Sequence, residues 1–307
     1  MLDGILWVIS GIGSSFGNLF HALARPGDWL GWAFEGGTLA SPEAKAALMR
    51  FIYYGASSEL FFVILTTLLI LTGVGIWRRA VIWAVVRALE GLANGVGRFT
   101  AWAGLIMVLQ QIVIVFLQRI FRVSSIELAP FGYGFAKDLS WWSEELKLYN
   151  AMIVALCVTY TFVQGGHVRV DLIYAHVSYR KKRLIDMFGS LFFMMPVAVV
   201  TWIYGWFFFW RVMIVPNPSA SDELDKLLTK SRALRWNIET IGFSPNGFNA
   251  YFLFKVLMLA FVVLVFLQAV AFFYRSLLEL VEGPGSEGKY LDRDRLDAAP
   301  DAQQGAH

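Results

Sequence analysis

Charge is scarce in this sequence. Asp, Glu, Lys and Arg make up 16% of residues against 57% hydrophobic, where soluble domains run nearer a quarter charged and half apolar. Twenty-six Lys and Arg against 23 Asp and Glu leave a net charge of only +3, so no nucleic-acid partner is expected. Cysteine is scarcer still. Cys157 stands alone, which excludes an intramolecular disulfide and a cysteine-based metal site. Of the histidines, His21, His167, His176 and His307, none falls in the core of the five long apolar runs, so the mid-helix ligands of a membrane haem anchor are missing. The start carries Asp3 where a secretory signal has its basic region, and shows no clear small-x-small cleavage site, so no cleaved signal is expected. No internal repeat is evident, which weighs against a complete inverted-repeat transporter.

What is present is hydrophobicity in blocks. Five stretches approach the roughly 20 apolar residues of a spanning helix: 60–77, 99–117, 148–163, 184–212 and 250–274. Backbone groups must be satisfied within each segment in lipid, so these are helices. The fourth is overlong and carries Pro196 in its middle, which removes one backbone donor and predicts a kink. Between the first two runs lie Arg78, Arg79, Arg87 and Arg98 against Glu90, and between the third and fourth lie Arg169, Arg180, Lys181, Lys182 and Arg183. By density of Lys and Arg these turns are cytoplasmic, with Arg78, Arg79 and 180–183 as topology anchors, which also puts the C-terminus inside. The basic run 180–183 reads as a contact to anionic lipid.

Residues 4–24 are apolar but interrupted by Gly11, Gly13, Ser14, Ser15, Gly17 and Asn18. They form either a sixth span or an interfacial helix; five spans with the N-terminus outside is the expected arrangement. Residues 80–92, with Trp83 and Arg87, read as an amphipathic helix on the cytoplasmic surface. From residue 281 the composition predicts a disordered tail.

Few side chains suggest chemistry. Residues 283–289 match the first seven positions of a phosphate-binding loop, but Tyr290 stands where Ser or Thr should hold magnesium, and no strand precedes them. Gln110, Gln111 and Gln268 lie within spans, and Glu59, Arg211 and Lys255 at their ends; buried glutamines join helices more readily than they line a path. Trp141 and Trp142 suit the headgroup belt, and Glu144 and Glu145 would enter the first turn of the third span, at the positive end of its dipole. Being adjacent, they point apart and make a poor catalytic pair. Gly13 with Gly17 and Gly91 with Gly95 fit the close-packing GxxxG pattern.

The string Gly165-Gly166-His167-Val168-Arg169-Val170-Asp171-Leu172, between two spans, is the most distinctive in the chain. It follows Trp142-Ser143-Glu144-Glu145 and Tyr149-Asn150, and precedes Gly189-Ser190-Leu191-Phe192-Phe193 with Pro196. Glu239, Pro245-Asn246-Gly247, Lys255 and Gln268 come last. In this order the landmarks resemble the small, DctQ-like membrane subunit of TRAP (tripartite ATP-independent periplasmic) transporters, over residues 99–280. Leu259 departs from the family, which often carries a proline there, and residues 1–98 extend beyond its minimal members.

The resemblance implies an all-α polytopic membrane protein. It has an N-terminal extension (1–98) with interfacial helices and one extra transmembrane helix, a four-helix core (99–280), and a cytoplasmic tail (281–307). It further implies a non-enzymatic scaffold in the bacterial inner membrane that braces a large elevator-type subunit and helps dock a periplasmic substrate-binding protein. The importer would be sodium-coupled and carry organic acids, 2-oxo acids or other monocarboxylates among them. The sodium ions would sit in the large subunit and no cofactor in this chain. Family-motif and subunit-interface positions would be Trp142, Glu144, Glu145, Gly166, His167, Arg169, Asp171, Pro196, Lys255 and Gln268. Membrane lipids complete the partners. The competing classes are a standalone carrier or channel and a membrane anchor of a redox enzyme.

Overall fold

The computed structural model describes residues 2–34, 41–128, 135–165, 177–215, 223, 233–234, 247–248 and 250–294. Helices dominate, as expected. In order they are α1 (Leu2–Ala24), α2 (Gly27–Phe34), α3 (Pro42–Tyr54), α4 (Ser58–Trp77), α5 (Arg79–Arg119), α6 (Leu139–Leu156), α7 (Val158–Gln164), α8 (Tyr179–Gly189), α9 (Met195–Met213) and α10 (Phe252–Glu282). Two short antiparallel pairs interrupt them: β1 (Ser125–Leu128) with β2 (Phe135–Asp138), and β3 (Ile214–Val215) with β4 (Ala233–Leu234).

Among the described residues five helical stretches are long and apolar enough to cross a membrane: Ser58–Trp77, Arg79–Arg119, Leu139–Gln164, Tyr179–Met213 and Phe252–Glu282. Each takes in one of the five apolar runs, the last without its first two residues. At 23 residues α1 is long enough but is not among them, because its glycines, serines, Asn18 and His21 dilute it. It lies instead along α4. The Phe62 ring sits so close over Gly11 that a Cβ there would be 2.5 Å from it, Trp7 meets Phe62 edge-on, and the Ser15 and Thr66 hydroxyls are 2.9 Å apart in a buried contact. The close approach therefore runs through Gly11 and Ser15 and not through the GxxxG pair. Gly13, Gly17, Gly91 and Gly95 all have open space where a Cβ would stand.

Helix boundaries follow local chemistry. Ser41, ahead of Pro42, accepts from the Ala44 amide at 3.0 Å, and Ser57 accepts from the Leu60 amide at 3.3 Å; both cap the amides that a helix start leaves unpaired. Gly165 ends α7 at φ 77° and Gly283 ends α10 at φ 87°, conformations that a side chain would strain. The disturbance expected at Pro196 takes the form of a π-turn, Ser190–Met194. The Met195 amide reaches back to the Ser190 carbonyl, widening the helix just before the residue that cannot donate.

Two expectations need correction. Residues 80–92 are not a separate surface helix. They are the first part of α5, which runs 41 residues, about 60 Å and twice a hydrocarbon core. No proline breaks it, and Ile82, Trp83, Val86 and Glu90 are buried, the apolar three with Tyr274 and Leu278 of α10. Nor is the chain disordered from residue 281. After α10 comes a 3₁₀ turn, Pro284–Ser286, and residues 283–294 lie as a strap across the neighbouring helices. The sequence disguised this because polar contacts hold the strap, and those leave no apolar periodicity.

The apolar contacts divide into two groups. One joins α3 to α9 through Leu48, Met49, Trp206, Phe209, Trp210 and Met213. The Trp202 indole donates to the Gly55 carbonyl at 2.7 Å and that of Trp206 to Ile52 at 2.8 Å, clasping the corner between α3 and α4. The other joins α5 to α10. Much of the remaining apolar surface is exposed, which suits lipid or a membrane partner.

Candidate functional site: two polar clusters at the ends of the helices

At one end, α6 emerges from the β1–β2 hairpin, and the Leu139 amide bonds to the Ser124 carbonyl at 3.0 Å. Because the helix begins at Leu139, Glu144 and Glu145 lie in its second turn and not, as expected, its first. Their work is hydrogen bonding. Glu144 accepts from the Phe248 amide at 2.8 Å, and the Phe248 ring packs on Trp141 at 5.2 Å between centroids. The segment leading into α10 is thus pinned to the start of α6. Glu145 points elsewhere: it accepts from the Gln110 amide at 3.0 Å and from the Tyr149 hydroxyl at 3.4 Å. Gln110 also donates to the Trp142 carbonyl at 3.3 Å. The expected interhelical bond of Gln110 exists, and it is made within this chain.

At the other end the structure assembles charges that sequence reasoning did not group. Arg275 on α10 grips Glu90 on α5 with two hydrogen bonds, one from Nε at 2.6 Å. Both side chains are more than nine-tenths buried. Arg275 further donates to the Lys289 carbonyl at 3.1 Å and lies over the Trp83 ring. Glu279, one turn on and 1% exposed, stands between Arg275 at 3.5 Å and the Arg183 Nε at 2.9 Å. Arg183 also reaches Glu287 at 2.7 Å and lies 3.5 Å from Asp186. Two guanidiniums and two carboxylates alternate through the cluster, so each buried charge has a counter-charge.

The strap closes over this cluster. The Asn94 amide donates to the Asp292 carbonyl at 2.8 Å, and Gln164 donates to the Asn94 side-chain oxygen at 3.1 Å and accepts from the Asp294 amide at 2.8 Å. Arg98 meets Asp292 at 3.0 Å and Asp294 at 2.6 Å, and the Tyr160 hydroxyl donates to Asp294 at 2.6 Å. Arg98 holds both aspartates below their ordinary pKa, helped by Asn94 for Asp292 and by Tyr160 for Asp294. The phosphate-loop resemblance dissolves here: the Gly288 amide is turned to the Glu279 carboxylate at 3.2 Å.

The basic run also divides. Arg180 and Lys181 are exposed and Lys182 half-buried, but Arg183 turns inward to its three carboxylates. It is a structural cation, not a lipid anchor. Arg78 and Arg79 are exposed. Pro196 is exposed near the start of α9, and Lys255 is half-buried in the first turn of α10. Gln268 is buried, its Oε1 without a partner among the described residues. Gln111 faces outward from α5. Gly166, His167, Arg169 and Asp171 lie outside the described residues, as do Glu239, Pro245 and Asn246. No group of three or more His, Cys, Asp or Glu able to hold a metal occurs among the described residues.

What sequence reasoning missed is Glu90, Arg275, Glu279, Asn94 and Gln164. The available signal was Glu90, a lone acid in an arginine-rich stretch, together with the Arg275–Glu279 pair at i, i+4 just past the end of the last apolar run.

The arrangement ties helices together, and its charges are matched within the chain. It defines a polytopic helical membrane protein. Residues 131–224 match the model of the family described as tripartite ATP-independent periplasmic transporters, DctQ component. The chain carries the DctQ domain, that of the small membrane subunit of TRAP transporters, a family of transporter subunits and not of enzymes. The match takes in Trp142, Glu144, Glu145, the 166–171 string and Pro196, while Lys255 and Gln268 fall beyond it. No curated protein and no solved structure matches the chain.

Proposed function

We propose that this chain is the scaffold subunit of a sodium-coupled TRAP importer of organic acids, bracing the large elevator-type subunit and helping to dock the periplasmic binding protein. One observation carries the reading: the charges buried among the described residues are paired with one another inside the chain. A carrier working alone needs ionisable or polar groups turned toward its ion and substrate. Here the same chemistry stiffens the helix ends. Sodium and substrate then belong to the large subunit, with no cofactor in this chain. Organic acids, 2-oxo acids or other monocarboxylates among them, follow from the family resemblance.

The turn at Arg78–Arg79, the basic turn before α8 and the end of α10 face the cytoplasm of a bacterial inner membrane. Residues 1–98 add surface to a four-helix core at 99–280, followed by the cytoplasmic segment 281–307. Gln110 is engaged by Glu145, whereas Gln111 is exposed and has no hydrogen bond among the described residues. Gln111 is therefore the amide offered to a helix of the large subunit. Affinity purification in mild detergent tests this. A very hydrophobic large partner should co-purify in fixed ratio, and less of it with Gln111→Leu. Stable purification of this chain alone from cells that make the partner would overturn the reading.

A further inference from the structure

The arginines near the α4–α5 corner fall into two kinds. Arg98, Arg183 and Arg275 are each neutralised by carboxylates. Among the described residues Arg78, Arg79 and Arg87 have no carboxylate within ion-pair distance, and all three are exposed. Arg79, Trp83 and Arg87 succeed one another at four-residue intervals, which puts them along one face of α5. The strap brings a further cation to that face: Lys289 Nζ lies 5.7 Å from the Trp83 ring centre and 5.2 Å from that of Tyr290. The Arg87 guanidinium lies 4.9 Å from the same Tyr290 ring. Two like charges are thus held within about 10 Å, close to one screening length. Among the described residues Glu282 lies 3.6 Å from Lys289 through one carboxylate oxygen, and its other oxygen accepts the Trp83 indole at 2.9 Å. Beside them Ile76 and Trp77 are 77% and 85% exposed, with Arg78 over the Trp77 ring. Apolar side chains this exposed at the end of a spanning helix place the cations at a bilayer surface.

We infer that this corner, formed by Arg78 and Arg79 at the helix junction with Arg87 and Lys289 against Tyr290, is a binding site for the phosphate headgroup of an anionic phospholipid. Trp77 and Ile76 would lie against its acyl chains. The site is built jointly by the helix corner and the strap, so the headgroup would tie both to the membrane. This goes beyond the scaffold role and does not depend on it.

The test is native mass spectrometry of the purified chain titrated with phosphatidylglycerol or phosphatidylcholine. The wild type should retain phosphatidylglycerol preferentially. R79Q/R87Q should weaken that retention about 25-fold, five-fold for each cation near an anionic surface, while R180Q/K181Q, which removes two exposed charges elsewhere, leaves it unchanged. Both lost side chains are exposed, so unfolding in phosphatidylcholine should be unaltered. Should the double variant fold poorly, retention by the wild type is measured from about 50 to about 500 mM salt, where it should fall. Equal retention of the two lipids, equal loss in both variants, salt-independent retention, or displacement by millimolar inorganic phosphate would each overturn the assignment.

Discussion

Replacing Glu90 by alanine should do more damage than removing any exposed charge in the chain. Arg275 and Glu90 are 9% and 7% exposed at their side chains, so the substitution leaves a guanidinium without its bidentate partner in a dry site. Breaking one side of a buried pair costs about 3–5 kcal/mol. Arg275 keeps Glu279 at 3.5 Å and the Lys289 carbonyl at 3.1 Å, which points to the lower end, about 3 kcal/mol. The comparison is Arg98→Ala, whose ion pairs have partners roughly half exposed and are screened by solvent. At about 2–4 °C per kcal/mol for a chain this large, E90A should unfold roughly 6–12 °C below wild type in detergent, and R98A should shift far less. The double variant E90L/R275M removes both charges and should recover most of the loss, because an apolar pair of similar volume is often neutral. Equal shifts for E90A and R98A, or a double variant worse than either single one, would refute the view that the cluster is a desolvated, mutually dependent pair.

Acidification should release the strap before the helices melt. Asp292 and Asp294 have folded pKa values below their ordinary 3.8, through Arg98 first. Their contribution is therefore fully present above about 4 and fades as pH falls through the lowered folded values; limited proteolysis of residues 285–294 should rise only below that point, and release near pH 6 would contradict the assignment. At Gly97 a Cβ would stand 2.2 Å from the Tyr160 Cβ, so Gly97→Val should force α5 and α7 apart at a cost of about 1–3 kcal/mol, read as a lower unfolding temperature, while Gly95→Val, facing open space, should be nearly silent. Glu145→Ala should expose the Gln110–Trp142 contact and cost about 1–3 kcal/mol for the orphaned donor, whereas Glu144→Ala should instead raise protease sensitivity ahead of α10, where the Phe248 amide loses its acceptor.

Apolar length was enough to place five spans, because backbone satisfaction in lipid leaves few alternatives. The Gln110 bond and the divergence of Glu144 and Glu145 were legible too, since helix periodicity decides which side chains diverge. The polar network was not. Glu90 and Arg275 are 185 positions apart, and nothing local says that an acid on one helix will meet a guanidinium on another. Arg183 shows the same limit: in sequence it is one of four basic neighbours, and only the packing of α8 on α10 turns it inward. The strap escaped for a different reason, being held by scattered polar contacts to α5, α7, α8 and α10 and not by a repeating apolar face.

The central claim is tested most directly by sodium-gradient-driven uptake of a panel of organic acids into liposomes, with this chain reconstituted alone, with the large subunit, and with both the large subunit and the periplasmic binding protein. The account predicts uptake only when all three are present. Uptake by this chain alone would contradict it.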